Sequence, residues 1–181
     1  RAGRCDLCQG ARQLPSDCRH HARSNSLRSL TLVLPLHDDN PSNTKPIVTV
    51  AIMVACVLVF VWQYFLAGPT GVQRIAYALG LIPAVLFGGE QLPTDLVWVP
   101  PAATLLTSMF LHGGFLHLAG NMLFLWVFGN NIEDSMGHAR FVLFYLVCGI
   151  AAALVQAFLD PASTLPMVGA SGAISAVLGA Y

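Results

Sequence analysis

The chain has 181 residues, of which 55% are hydrophobic and 10% charged, and its formal net charge is zero. A soluble domain carries roughly 25% charged residues, so this composition argues against an ordinary soluble globular protein. The zero net charge and the lack of a basic, aromatic-rich stretch also exclude nucleic acid as an expected partner.

Residues 1–46 form a tail rich in Arg, Ser, Asn and Pro, with no helical period, and we expect this tail to be disordered. The chain does not begin with Met, which indicates either a fragment or a translation begun upstream of the true start, with residues 1–32 spurious. The tail also contains residue types that bind zinc, namely Cys5, Cys8, Cys18, His20 and His21. Few apolar residues surround them, so we predict no metal site or cofactor; a short zinc module is the alternative.

The first predicted transmembrane helix runs from Ile47 to Leu66, with Thr49 and Gln63 as its polar members. Its 20 residues match the length that spans a bilayer core, about 20 residues. Trp62 and Tyr64 near its end are typical of the membrane interface.

The segment from Ala67 to Leu111 remains apolar but is rich in helix breakers, including Gly68, Pro69, Gly71, Pro83, Gly88, Gly89, Pro93, Pro100 and Pro101. A straight spanning helix does not tolerate so many breakers unless its neighbours satisfy the freed backbone. We therefore predict a long interfacial loop that contains short helices.

Three further helices follow, so residues 47–181 are predicted to be one membrane domain. The predicted order is a second apolar run Phe115–Phe128, a polar turn Asn130–Arg140, a third span Phe141–Leu159, a turn Asp160–Pro166, and a fourth helix beginning at Met167, inside which the chain stops. In the polar turn we expect Glu133 and Arg140 to be a turn-stabilising or solvated pair, worth at most about 1 kcal/mol if exposed.

Positive charge predicts the orientation of these helices. Residues 1–46 hold seven of the nine Lys and Arg residues, the long loop holds Arg74, and the polar turn holds Arg140. By the positive-inside rule, the tail and the polar turn are cytoplasmic, and the long loop and the Asp160–Pro166 turn lie outside. If residues 1–32 are spurious, Lys45 alone supports the tail.

This topology brings two polar sets to the same depth below the outer surface. His117 and Asn121 are four residues apart and share one face of the second helix. His112 and His117 are five apart, a poor spacing for a shared zinc ion. An imidazole and an amide facing a serine could hold the oxyanion of an acyl-transfer reaction. The alternative is that these polar groups only form hydrogen bonds between helices.

The second set is Gly169-Ala170-Ser171-Gly172, at the start of the fourth helix. Glycines beside a nucleophilic serine permit close approach of a substrate backbone. Small residues continue at Ser175, Ala176, Gly179 and Ala180, and such stripes also let membrane helices pack tightly. A packing motif without chemistry is therefore the alternative for this set.

Together, the two motifs resemble the rhomboid family. The resemblance runs from about Val33 to Tyr181. It includes Thr107-Ser-Met-Phe-Leu-His112-Gly-Gly before the histidine motif and Gly129-Asn-Asn-Ile-Glu133-Asp-Ser-Met-Gly137 after it. It implies an all-α polytopic membrane protein, a rhomboid-like helical bundle with four of about six core helices in this chain.

The resemblance also implies roles for individual residues. Ser171 matches the nucleophile, His117 and Asn121 match the side chains that stabilise the oxyanion, and His112 matches a structural or water-retaining histidine. The family's general base is a histidine on the sixth core helix, beyond this C-terminally truncated chain. We therefore expect the fragment as given to be inactive.

The implied activity is that of an intramembrane serine endopeptidase with a Ser–His dyad, acting on transmembrane segments of membrane proteins. Its expected partners are transmembrane protein substrates and the lipid bilayer. Its expected location is a bacterial inner membrane, as a multi-pass protein with a cytoplasmic N-terminus. The alternative is a catalytically inactive rhomboid-like protein that binds transmembrane helices without cutting them.

Overall fold

The computed structural model describes residues 45–181 except residue 69. Over these residues the secondary structure is helical apart from one isolated antiparallel bridge. The predictions made for residues 1–44, including the disordered tail and the candidate zinc ligands Cys5, Cys8, Cys18, His20 and His21, lie outside the described residues.

Among the described residues, two helices are long and apolar enough to cross a membrane. Helix α1 (Ile47–Val61) continues into a π-helical turn (Trp62–Leu66), which gives a span of 20 residues as predicted. The other is the 22-residue helix His138–Leu159, which begins three residues before the predicted start at Phe141.

The long segment between the first and second spans contains short helices, as its breaker residues predict. They are α2 (Gly71–Leu79), α3 (Pro83–Leu86) and α4 (Thr104–Thr107), with 3₁₀ turns at Thr94–Leu96, Pro101–Ala103 and Ser108–Phe110. Proline removes a backbone donor and stops helices from extending, which keeps each of these helices brief.

Helix α5 (Phe115–Phe124) continues through a π-helical turn (Leu125–Gly129) into α6 (Asn130–Met136). The predicted polar turn at Asn130–Arg140 is therefore wrong, because most of it is helical. The chain reverses only at Gly137, whose φ of 79° favours glycine, and α7 (His138–Leu159) follows at once. At its other end, α5 is bent by 78° from the Thr94–Phe110 segment, and His112 lies in the bend.

The fourth helix, α8 (Ser171–Ala180), begins four residues later than predicted. The residues before it are held in an extended conformation by the long loop. Met167 exchanges two backbone hydrogen bonds with Leu81, at 2.7 and 3.0 Å, and the Gly169 N–H donates to the Ser108 carbonyl at 2.9 Å. Because these bonds fix the chain in front of the helix, Ser171 becomes the first residue of α8.

Helices α7 and α8 pack along each other through small residues. A Cβ atom added to Gly172 would lie 2.6 Å from the Ala152 Cβ, and one added to Gly149 would lie 3.2 Å from the Ala173 Cβ. Close helix approach through small residues is typical of membrane proteins. Around this crossing lies the main buried core, formed by Met109, Leu125, Ile132, Phe141, Tyr145, Ala170, Ala173, Ile174 and Val177.

Glu133 joins three segments at the end of the bundle where α1 begins. Its fully buried carboxylate accepts hydrogen bonds from the Val48 N–H at 2.9 Å and the Thr49 N–H at 2.8 Å, in the first turn of α1. His138 Nδ1 lies 2.6 Å from the same carboxylate. The expected turn-stabilising or solvated pair of Glu133 with Arg140 is thus wrong: Glu133 is buried, caps a helix and pairs with His138.

Candidate active site

The candidate catalytic side chains lie on two helices that contact each other, α5 and α8. His117 and Asn121 are one turn apart on α5, and Ser171 begins α8. The first N–H groups of a helix have no acceptor within the helix, and the helix dipole places partial positive charge there. The N-terminal end of α8 is therefore suited to stabilising negative charge beside Ser171.

Gly169, just before α8, lies close to the His117 and Asn121 side chains of α5. A Cβ atom added to Gly169 would lie 2.7 Å from Cε1 and 2.8 Å from Nε2 of His117, and 3.8 Å from Nδ2 of Asn121. The φ angle of Gly169 is 125°, a conformation that residues with side chains rarely adopt. The structure therefore brings His117 and Asn121 against the backbone two residues before Ser171.

The Asn121 amide is buried, with 7% of the residue exposed. Within the described residues its Nδ2 has no hydrogen-bond partner. A buried amide donor without an acceptor costs about 1–3 kcal/mol. Such a group is available to an acceptor that enters the space beside Gly169.

His112 lies behind His117. It is fully buried, and its Nδ1 is 3.3 Å from the Phe110 carbonyl oxygen. Its ring meets the His117 ring edge to face, with centroids 5.3 Å apart. If Nδ1 carries the proton donated to Phe110, Nε2 is left as an acceptor. The contact restricts the position of the His117 ring.

Ser171 borders a cavity of about 200 Å³ between α7, α8 and the long loop. Ser108 and Gln156 line the same cavity. The sequence interpretation did not single out Gln156, although a polar residue inside an apolar span is a signal of function. The cavity thus combines two serines, an amide side chain and small residues from α7 and α8.

The part of the chain that the structure describes contains three histidines: His112, His117 and His138. His138 is bound to Glu133 at the start of α7. Gly172, next to Ser171, packs against Ala152 of α7. Ala152 lies about 21 Å along α7 from His138, at a rise of 1.5 Å per residue. His138 is therefore too far away to accept a proton from Ser171.

Comparison with known proteins identifies the class. Residues 101–181 match the family model described as the Rhomboid domain. The chain is 32% identical over 159 residues to Rhomboid protease GluP of Bacillus subtilis, covering 84% of this chain and 29% of that protein. It is 40% identical over 76 residues to RHOMBOID-like protein 5 of Arabidopsis thaliana, covering 42% of this chain and 25% of that protein.

A third relative is the mitochondrial Rhomboid protein 1 of Saccharomyces cerevisiae, 32% identical over 135 residues, which are 66% of this chain and 38% of that protein. This chain belongs to the rhomboid family and is a multi-pass membrane protein. It spans between 25% and 38% of the length of these three relatives.

Proposed function

We propose that this chain carries the nucleophile and the oxyanion site of an intramembrane serine endopeptidase. Ser171 attacks a peptide bond of a transmembrane substrate. His117, Asn121 and the Ser171 backbone N–H hold the oxyanion. The proton of Ser171 passes to a histidine of a later helix, as the family resemblance implies, since a serine hydroxyl is a weak nucleophile without an adjacent base.

One observation carries this proposal: the unsatisfied donor of Asn121 lies beside Gly169 together with the His117 ring. Buried polar groups are normally hydrogen-bonded, so a donor without a partner calls for an explanation. If the two side chains served only to bond helices together, Asn121 Nδ2 should have an acceptor on a neighbouring helix. A donor kept for an oxygen that appears during the reaction fits this arrangement.

The chemistry follows from this placement. As the Ser171 Oγ bonds to the substrate carbonyl carbon, the carbonyl oxygen gains negative charge. That charge lies near the N-terminal end of α8 and the His117 and Asn121 side chains, of which the Asn121 amide is buried. Donors fixed in advance stabilise the transition state without the cost of reorganisation. In this scheme His112 is a positioning residue, because it contacts His117 rather than the substrate.

The proposed substrates are transmembrane segments, because the site lies among helices that are long and apolar enough to span a membrane. The proposed location is a bacterial cell membrane with the N-terminus in the cytoplasm. One relative, which covers 84% of this chain, is a bacterial rhomboid protease, whereas another is mitochondrial.

The test is cleavage of a reporter transmembrane substrate by the complete protein in proteoliposomes. Ser171→Ala should abolish cleavage, and Asn121→Ala should slow it by about 10²-fold or more. Ser175→Ala is the matched control. This serine lies one turn along the same helix and donates to the Ser171 carbonyl at 2.8 Å, so its loss should leave the rate within a few-fold of wild type.

Three outcomes discriminate the possibilities. Cleavage by Ser171→Ala at the wild-type rate would rule out the serine mechanism. An equal loss with Ser175→Ala would show that the helix, rather than the hydroxyl of Ser171, is what matters. If the wild-type protein retains transmembrane peptides but never cuts them, the protein is an inactive rhomboid-like binder.

A further inference from the structure

The segment that leads to Ser171 is bonded to two parts of the long loop between α1 and α5. Met167 exchanges two backbone hydrogen bonds with Leu81, just after α2, at 2.7 and 3.0 Å. The Gly169 N–H donates to the Ser108 carbonyl, further along the loop, at 2.9 Å. Because most residues supply the same backbone groups, these bonds alone do not determine how closely the segment approaches the loop. That distance also depends on the side chain between them.

Val168 lies between these bonds, and its side chain lies against two glycines. A Cβ atom added to Gly80 would lie 3.2 Å from Val168 Cγ1, and one added to Gly113 would lie 3.8 Å from Val168 Cγ2. Gly80 follows α2, and Gly113 lies just before α5. The two methyl groups of one side chain therefore set the distance of the segment from the end of α2 and from the start of α5.

Gly80 is packed so tightly that no other residue fits there without movement. An added Cβ atom would overlap the Ala76 carbonyl oxygen and would lie 3.1 Å from Pro166 Cβ. The glycine thus lets α2 end directly against the segment before Ser171. Val168 completes this contact with a β-branched side chain, which is stiff at χ1. A stiff side chain is suited to holding a fixed distance.

The same valine lies beside both halves of the candidate site. It borders the cavity of about 200 Å³ that Ser171 also borders. On its other side, a Cβ atom added to Gly113 would lie 3.9 Å from His117 Nδ1. Removal of the Val168 methyl groups would therefore let the segment that carries the serine shift relative to the segment that carries the histidine.

We propose that Val168 is a positioning residue, which holds Ser171 at a fixed distance from the His117 side of the site. The inference rests on the proposed function, because it takes Ser171 as the nucleophile. The other role open to this side chain is contact with a substrate in the cavity. A positioning residue changes the reactivity of Ser171 toward every reagent, whereas a substrate contact changes only the reaction of substrates that reach it.

The first experiment uses the complete protein in proteoliposomes. It measures kcat and KM for a reporter transmembrane substrate, and the rate at which a small fluorophosphonate labels Ser171. Val168→Ala should lower kcat and the labelling rate by about tenfold each and leave KM within about twofold, because misplaced reacting groups slow the chemical step. Val168→Thr keeps the β-branched shape and should be labelled within about threefold of the wild-type rate.

The second experiment measures amide hydrogen exchange and does not require catalysis. Val168→Ala should raise exchange at the Met167 and Gly169 amides by about fivefold or more, because the segment opens locally more often. Leu165→Ala is the matched control for both experiments. Leu165 precedes Val168 in the same segment, and 69% of it is exposed. Its replacement should change neither exchange nor labelling.

The proposal is overturned if Val168→Ala is labelled at the wild-type rate, or if its exchange at Met167 and Gly169 is unchanged. It is also overturned if Val168→Thr loses as much as Val168→Ala, or if Leu165→Ala has the same effect. A changed KM with unchanged labelling would identify Val168 as a substrate contact instead. Cleavage by Ser171→Ala would refute the proposed function, and the catalytic role of Val168 with it, whatever the exchange rates show.

Faster exchange of Val168→Ala throughout α7 would show that this variant unfolds. In that event Val168→Ser and Val168→Thr decide, because they differ by one methyl group. Slower labelling of Val168→Ser than of Val168→Thr supports the proposal, and equal rates overturn it.

Discussion

Replacing Gly169 by alanine should displace groups of the candidate site and so lower the catalytic rate, beyond any effect on the stability of the fold. The new Cβ atom would lie 2.7 Å and 2.8 Å from two atoms of the His117 ring, whereas ordinary contact begins at 3.4 Å. The ring or the backbone before Ser171 must therefore move by roughly 0.6–0.7 Å. A misplacement of about 1 Å can cost about 10²-fold in rate, so we expect a loss between about tenfold and about 10²-fold.

The same substitution also strains the backbone, because the φ angle of Gly169 is 125°. Strain of this kind costs roughly 1–3 kcal/mol of stability. Gly137→Ala is the control that isolates it. Gly137 has a φ of 79°, but an added Cβ would meet nothing within 4 Å. Gly137→Ala should therefore lose stability without losing the catalytic rate of the folded enzyme.

The assay combines kcat for a reporter transmembrane substrate with unfolding of the complete protein in mixed detergent micelles. Gly120→Ala serves as a second control on α5, since an added Cβ there has open space and alanine favours a helix. If Gly169→Ala keeps the same kcat as Gly137→Ala, the contact between Gly169 and His117 has no part in catalysis. The placement of His117 in the oxyanion site would then be wrong.

Three further predictions concern the bundle. Glu133→Ala should destabilise the protein by about 1–3 kcal/mol in the same unfolding assay, because it leaves the buried Thr49 N–H and the part-buried Val48 N–H without an acceptor; a change as small as that of exposed Arg140→Ala would contradict this. Single cysteines placed at Gly88 and Ser163, with the native cysteines removed, should react with an impermeant label from outside the cell, and labelling only from the cytoplasm would reverse the topology. The 181-residue chain alone should not react with a fluorophosphonate at Ser171; labelling as fast as in the complete protein would show that a base is already present.

The order of the long apolar helices could be predicted from the sequence because each depends on local composition. The 20-residue apolar run of α1 and the breaker-rich loop after it can each be predicted from their own residues alone, whatever segments pack against them. The predicted boundaries failed where tertiary contacts decide. Met167 looks helical in sequence, but its pairing with Leu81 keeps it extended, and this pairing joins residues far apart in the chain.

The candidate site divides in the same way. The spacing of His117 and Asn121 indicates that they share a helical face, and the order of the motifs indicates that Ser171 lies nearby. The contact through Gly169 was not predictable, because it depends on where the long loop holds the start of α8. Glu133 was expected to form a turn-stabilising or solvated pair with Arg140, since nothing in its local sequence reveals that the first turn of α1 folds onto it.

The Glu133 contact has a consequence for biosynthesis. The N–H of Thr49 waits for an acceptor that is made 84 residues later. At a synthesis rate of about 5–20 residues per second, the ribosome needs about 4–17 s to deliver it. During that interval the first span can already be threaded into the translocon, with its N-terminal donors hydrated at the membrane surface. Once Glu133 is synthesised and inserted, it would cap the first turn of α1. A ribosomal pause between the two segments would lengthen the time during which quality-control proteases can recognise the uncapped helix.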